Sequence, residues 1–287
     1  MEAMVSEHNS SSQAIAQAKQ AIANADALLI TAGAGMGVDS GLPDFRGVHG
    51  LWRAYPVLKR RGLSFEDMAR LAWFRDEPEL AWAFYGHRLH QYRQTQPHAG
   101  FGMLLDLCRQ KGDNYFVVTS NVDSHFHKAG FDDSRIHEVH GSLDWWQCSS
   151  GAHKDLWPAD DDAVIVDEER FRATRMPYCP DCGEVARPNV LMFGDWRWVD
   201  TRESRQAAHF IHWLEPLRAE GKQVAIIEIG AGRVIPTIRE LGEHLFWDLF
   251  PYCSLIRINP RDHKVPEGAI SIAMNGLDGI RSILGEV

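Results

Sequence analysis

The sequence predicts an α/β fold: a doubly wound parallel sheet with a second, smaller domain. Helical and strand-like hydrophobic patterns alternate along most of the chain, most of the strand-like runs close on Gly, Asn or Ser, and two segments interrupt the alternation. Alternation of this kind favours a parallel sheet covered by helices, with ligands at the carboxyl ends of the strands.

Ile15, Ala18, Ile22 and Ala25 recur at helical spacing, and the pattern then changes to the apolar run Ala27 to Ile30, closed by Thr31-Ala32-Gly33-Ala34-Gly35. This predicts helix, strand and glycine turn. Further strands are expected at Tyr115 to Thr119, Val190 to Phe193, Gln223 to Ile229, Ser254 to Ile258 and Ala269 to Ala273. Leu63 to Cys108 contains no good strand but includes the helical stretch Pro78 to Tyr85, and so predicts a helical insertion. Residues 146–187 are loop-rich, with the acidic run Asp160-Asp161-Asp162 and a Cys-x-x-Cys at the far end.

Composition narrows the function. The 287 residues are 45% apolar and include ten tryptophans, enough for one large core or two modest ones. Thirty basic against thirty-nine acidic residues give a net charge of −9 without a dense Lys/Arg cluster, which argues against nucleic acid as a partner. Apolar runs such as Ala27 to Ile30 and Val224 to Ile227 fall far short of the roughly 20 residues needed to cross a bilayer, so no membrane partner is expected. The polar start, Met1 to Ser12, lacks the pattern of a secretory signal, and a cytoplasmic location is expected. Five cysteines are too few and too unevenly placed for a disulfide framework, but Cys148, Cys179 and Cys182 share one stretch and raise the question of a metal.

Gly33-Ala34-Gly35-Met36-Gly37 follows the first strand. Glycines let a backbone turn sharply and offer its N–H groups to a pyrophosphate, yet Val38 stands where the usual dinucleotide fingerprint has its third glycine. The glycines run on into Ser40-Gly41-Leu42-Pro43-Asp44-Phe45-Arg46-Gly47. Three more blocks follow: Thr119-Ser120-Asn121-Val122-Asp123, Val139-His140-Gly141-Ser142, and Cys179-x-x-Cys182-Gly183 leading to Arg187-Pro188-Asn189-Val190-Leu191-Met192-Phe193-Gly194. In this order the four blocks resemble the sirtuin family of NAD-dependent protein deacylases, a likeness that runs to about Asn259.

The resemblance implies a discontinuous Rossmann-like NAD-binding domain (1–47, 113–145 and 188–287), a cofactor loop with the helical insertion (48–112), and a zinc-ribbon-like cysteine module (146–187). It also implies that the acyl oxygen of a modified lysine attacks the ribose carbon bearing nicotinamide. His140 then deprotonates a ribose hydroxyl, and nicotinamide, free lysine and O-acyl-ADP-ribose result. A near-neutral intrinsic pKa suits histidine to that task. Carried over position by position, Asn121 organises ribose and water, Asp123 binds the nicotinamide carboxamide, and Asp44, Phe45 and Arg46 form a cofactor loop. Gly33, Ala34, Gly35, Ser120, Gly230, Ala231, Gly232 and Asn259 complete the NAD contacts. Val190, Met192, Phe193 and Gly194, with Asp195, form an edge to which an acylated peptide adds as a strand.

Several positions depart from the family. Ser120 replaces a usual Gln, Gly37 a usual Ser, and Gly230-Ala231-Gly232 a Gly-Thr-Ser block, so altered NAD affinity is expected. These changes leave open NAD hydrolysis or ADP-ribosyl transfer without deacylation, and a non-catalytic NAD or ADP-ribose sensor. The family pattern of two Cys-x-x-Cys pairs is one short, because Gly151 stands three positions after Cys148; this leaves open a Cys3His zinc site completed by His153, a fourth ligand from elsewhere, or a metal-free loop. Tyr85 and Arg88, three apart on one helix, resemble the Tyr-x-x-Arg of bacterial sirtuins that remove succinyl-like acyl groups. Val48, where that class tends to have alanine, leaves a smaller acetyl pocket open. Oligomeric state is not legible.

Overall fold

A computed structural model describes residues 2–43 and 48–285, with side chains described from residue 11 except at 48–50 and 161. Helix α1 (Glu2–Asn24) leads into β1 (Ala27–Ala32), and a 3-10 turn over Ala34–Ser40 follows the glycines. Next come the helices α2 (Val48–Ala54), α3 (Pro56–Arg61), α4 (Phe65–Met68), α5 (Trp73–Asp76), α6 (Pro78–Gln94) and α7 (Ala99–Gln110). Strand β2 (Tyr115–Thr119), short helix α8 (His125–Lys128) and strands β3 (Ile136–Glu138), β4 (Gly141–Cys148), β5 (Trp157–Pro158), β6 (Ile165–Asp167), β7 (Arg172–Arg175) and β8 (Ala186–Val190) continue the chain. It closes with α9 (Thr201–Ala219), β9 (Val224–Ile229), α10 (Thr237–Asp248), β10 (Cys253–Ile258), β11 (Ile270–Ile272) and α11 (Gly276–Leu284).

Six of these strands form one sheet in the order β11-β10-β9-β1-β2-β3, and every pairing in it is parallel. The apolar runs are continuous because both faces of the sheet are covered. In β1, Leu28, Ile30 and Ala32 enter the core beneath α1, α7 and α11, whereas Ala27 and Leu29 enter the core beneath α9 and α10. Strand order reverses between β1 and β9, and a doubly wound sheet opens a ligand crevice at such a switch point.

A third core lies beside the sheet. There α6 contributes Trp82, Phe84, Tyr85 and Leu89, and packs on Leu51, Phe74, Trp146, Val164 and Phe171. Trp82 donates its indole N–H to Ala186 O at 2.8 Å, tying the helices to the β5-β4-β8 sheet. Thus the helical stretch and the cysteine-bearing stretch share one apolar interior. Helix α7, within residues 48–112, instead sends Phe101, Leu104 and Leu105 into the core beneath the large sheet.

The structure corrects some sequence expectations. The strand expected at Val190 to Phe193 lies earlier, at Ala186–Val190, because its hydrogen-bonding partner is β4 and the chain turns after Val190. Strands β3 and β4 carry His137, Glu138, Asp144 and Gln147 among their apolar residues, which hides them from a hydrophobicity reading.

Candidate active site

The crevice is built from bare backbone. Gly33 N–H donates to Ile229 O at 3.0 Å and Gly35 N–H to Gly230 O at 3.0 Å, drawing the turns after β1 and β9 together. A Cβ on Gly33 would lie 2.8 Å from Ala231 Cα, and one on Gly230, at φ +65°, would collide with Gly35 and Met36. Side chains are therefore excluded where the two strand ends meet. Ala34 is exposed at the start of the 3-10 turn.

The loop after β2 brings in the polar groups. Asn121 Nδ2 donates to Gly33 O at 3.1 Å, and its own N–H is capped by Thr119 Oγ1 at 3.0 Å. Ser120 N–H donates to Ala32 O at 3.1 Å. Asp123 is buried, and its Oδ1 accepts from His125 N–H at 3.0 Å. Its Oδ2 lies 3.5 Å from the place a Gly37 Cβ would occupy, a place that the Leu42 side chain approaches to 3.0 Å. Burial pushes the Asp123 carboxyl above the ordinary carboxylate range. On the far side, Asn259 Nδ2 donates to Ala231 O at 2.9 Å, and its Oδ1 accepts from Arg261 and Asp262 N–H at 3.0 and 2.8 Å.

His140 sits half-buried at the bend between β3 and β4. Burial holds its pKa below the ordinary histidine value, and a hydrogen bond to the main chain of Ser120 pulls the other way. Thr237 Oγ1 lies 3.4 Å from its Nε2. The main-chain oxygen of His140 accepts from Leu191 N–H at 3.0 Å, which places the segment after β8 beside the histidine. In that segment Val190 and Met192 are buried, Phe193 is exposed, and Gly194 takes φ +67°. Phe193 N–H is bonded to Ala69 O at 2.9 Å, and Arg187, wholly buried, holds Asp195 at 2.5 Å. Asp44, Phe45 and Arg46 lie outside the described residues, and so does the side chain of Val48.

Tyr85 and Arg88 share the buried side of α6. The Arg88 guanidinium lies 5.2 to 5.7 Å from the rings of Phe65, Phe84, Tyr85 and Tyr92, and donates to Tyr92 Oη at 2.8 Å. Burial pushes the Tyr85 hydroxyl up to about 12, so it stays protonated and able to donate.

Cys148, Cys179 and Cys182 bring their sulfurs within 4.8 Å of one another. Three converging thiols at this spacing suit a tetrahedral zinc ion. Burial disfavours the Cys148 thiolate, but hydrogen bonds from Ser150, Cys182 and Cys179 together outweigh it, and the thiol is lowered to about 7. His153 is not part of the cluster: its Nδ1 lies 3.6 Å from the Asp181 carboxylate. Gly151, at φ +74° and packed on the Arg197 side chain, turns the chain before His153. Ser150 is the nearer neighbour, with Oγ 3.0 Å from Cys148 Sγ.

Thr237 and the buried ion pair Glu228–Arg257 were not singled out from sequence. A charged residue inside an apolar strand run, as in Val224-Ala225-Ile226-Ile227-Glu228-Ile229, was the available signal for the pair. No comparable signal marks Thr237.

A parallel sheet with bare glycines at its switch point, an amide, a carboxylate and a histidine around them, and a three-thiol module alongside define a Rossmann-like nucleotide-site protein. The Sir2 family model matches residues 33–212, more than half the chain, and the protein belongs to the Sir2 family. A protein of Thermus thermophilus named NAD-dependent protein deacylase is 29% identical over 93% of both chains. One of the same name from Pyrococcus furiosus is 29% identical over 63% of this chain and 66% of its own length. Sirtuin-5 of Danio rerio, a mitochondrial NAD-dependent protein deacylase, is 30% identical over 62% of this chain and 60% of its own. In the first alignments the chain spans a little under two thirds of the curated relatives' length. A solved Sir2 homologue described as an NAD complex shares the fold, with a TM-score of 0.68 at 24% identity over 93% of this chain and 91% of that one.

Proposed function

We propose that the protein is an NAD-dependent lysine deacylase acting on acylated protein or peptide. The observation that carries this reading is the convergence of His140, Asn121 and Asp123 on the glycine-lined crevice. The residues fit a dinucleotide: the close approach of the Gly33-Ala34-Gly35 and Gly230-Ala231-Gly232 turns gathers main-chain groups at the strand ends, where a pyrophosphate would be held. Asn259 belongs to the adenosine end, and Asp123 to the nicotinamide carboxamide. NAD, when bound, supplies the ribose carbon that takes the acyl oxygen as nicotinamide departs.

The protein's own work is orientation and one proton transfer. Asn121, tied to Gly33 O, holds its amide at the strand end. Asp123 Oδ2 would accept from the carboxamide N–H, while Oδ1 stays fixed by His125 N–H. His140 is neutral at pH 7 because burial disfavours its charge, so its ring can take a ribose hydroxyl proton. The peptide lies along Val190 to Gly194, the segment that the Leu191 N–H bond to His140 O holds beside the histidine, and adds there through main-chain hydrogen bonds. Tyr85 and Arg88 direct the acyl end, and a buried guanidinium favours a carboxylate-bearing, succinyl-like chain. Cys148, Cys179 and Cys182 hold a structural zinc. A reducing compartment such as the cytoplasm would keep these thiols available to the metal.

Incubation with NAD and a panel of acetyl- and succinyl-lysine peptides, following nicotinamide, peptide mass and O-acyl-ADP-ribose together, tests this reading. All three should change in step, and His140→Ala should lower the rate by at least about 100-fold. Nicotinamide release without peptide change would replace deacylation by NAD cleavage.

A further inference from the structure

Two guanidiniums stand behind the far end of the crevice, outside the residues assigned above. Glu228 on β9 and Arg257 on β10 are directly paired in the parallel register, and both are fully buried. Their side chains share the α10 face of the sheet, as the two-residue period requires for positions in line with Ile226 and Leu255. Arg257 meets Glu228 through Nε and through Nη2, the latter at 3.0 Å, and Glu243 of α10 through Nη1 at 2.8 Å. Arg239, one turn before Glu243 on α10, lies 3.4 Å from the same carboxylate. Gly242 makes the space: a Cβ there would lie 2.9 Å from Glu228 Oε2. Two positive and two negative groups balance in a cluster that costs desolvation and that an apolar core would not need.

The cluster has donors left over, and they are spent on one loop. Arg257 Nη1 donates to Lys264 O at 2.6 Å, Arg239 Nη1 to Asp262 O at 2.7 Å, and Arg239 Nη2 to Lys264 O. That loop begins at Asn259, which binds the N–H groups of Arg261 and Asp262 and reaches across to Ala231 O. The turns after β9 and β10 are thereby locked to each other and to α10 before any ligand arrives. Ala231 and Gly232 offer no polar side chain at this end of the crevice. Main-chain groups of these turns then take a larger share of the binding, and they bind well only when held in place.

We infer that Arg239 and Arg257, braced by Glu228 and Glu243, are positioning residues that pre-set the loop at 259–264 for the adenosine half of the dinucleotide. This inference rests on the NAD reading above, and its test separates the two. Calorimetric titration with ADP-ribose is run on the wild type, Arg239→Met, Arg239→Lys and the charge-balanced double variant Glu228→Gln/Arg257→Gln, alongside initial rates with NAD and inhibition by nicotinamide. Arg239→Met should weaken ADP-ribose about five- to tenfold and raise KM for NAD by a similar factor, while kcat and the nicotinamide inhibition constant stay within about twofold. Arg239→Lys should recover part of the affinity, because an ammonium can still reach one carbonyl. The double variant should weaken ADP-ribose more than Arg239→Met does. ADP-ribose affinities within twofold of the wild type in Arg239→Met and the double variant would overturn the inference. So would a loss spread equally over ADP-ribose, nicotinamide and kcat, which a general loosening produces. A wild type that binds neither ADP-ribose nor NAD would instead overturn the dinucleotide reading itself.

Discussion

His125 shows what a single buried residue costs and when. Its ring is wholly buried and both ring nitrogens lack hydrogen-bond partners. It packs edge-on to Phe101, and the charges that reach it come from Asp123 and Lys128. Burial keeps its pKa below the ordinary value of about 6.5. The unfolded chain therefore takes up a proton below that pH which the native ring refuses, so this residue removes stability as pH falls through the ordinary value. His125→Leu should shrink the loss of unfolding free energy between pH 7 and 5 by up to about 1.4 kcal/mol per pH unit, read from urea melts at each pH. Parallel pH profiles for variant and wild type would refute this. Nothing in the run Asp123-Ser124-His125-Phe126 announces burial of the histidine, since the ring is enclosed by α7, a segment distant in sequence.

At the scale of elements, α6 and the cysteine module each carry one chemical commitment. The spacing of Tyr85 and Arg88 already placed them on one helix face, but the surrounding cage of Phe65, Phe84 and Tyr92 came from packing. Arg88→Met should lower the succinyl-to-acetyl rate ratio by at least about tenfold, measured on paired peptides, because one charge-assisted hydrogen bond is worth that much. An unchanged ratio would leave Arg88 a packing residue. In the module, the three cysteines were legible from their spacing, whereas the fourth ligand was not: a glycine turn at φ +74° points the chain elsewhere. Metal analysis should find about one zinc per chain in the wild type and in His153→Ala, and none in Cys179→Ser. Loss of zinc from His153→Ala would restore that residue as a ligand.

For the whole molecule, three cores meet around one crevice. Two flank the six-stranded sheet, and the third joins the α6 helices to the β4–β8 module. The switch point between β1 and β9 lies where the glycine turns after these two strands meet, which joins Gly33 to Ile229 and Gly35 to Gly230 across the chain. A ligand bridging those turns binds the folded state alone. ADP-ribose at about 100 times its Kd should therefore add about 2.7 kcal/mol to stability and raise Tm by roughly 5–10 °C in a thermal melt. No shift at saturating ADP-ribose would argue against the crevice as its site. Among the described residues, no helix is long and apolar enough to cross a membrane.

The sequence by itself determined the elements whose signal is local: the continuous apolar strands, the glycine turn after β1, the helical stretch at α6 and the ordered blocks that mark a Sir2 protein. Tertiary structure alone decided which side chains meet. Strands β3 and β4, mixed in polarity, take their place from pairing with β2 and β8, not from a pattern of their own. His153 was excluded from the thiols, Thr237 brought to His140, and Glu228 matched with Arg257, by the geometry of turns and register. Hydrophobic periodicity records which face a residue turns to the core. The partner across that core depends on chain segments far away in sequence, and no local pattern carries it.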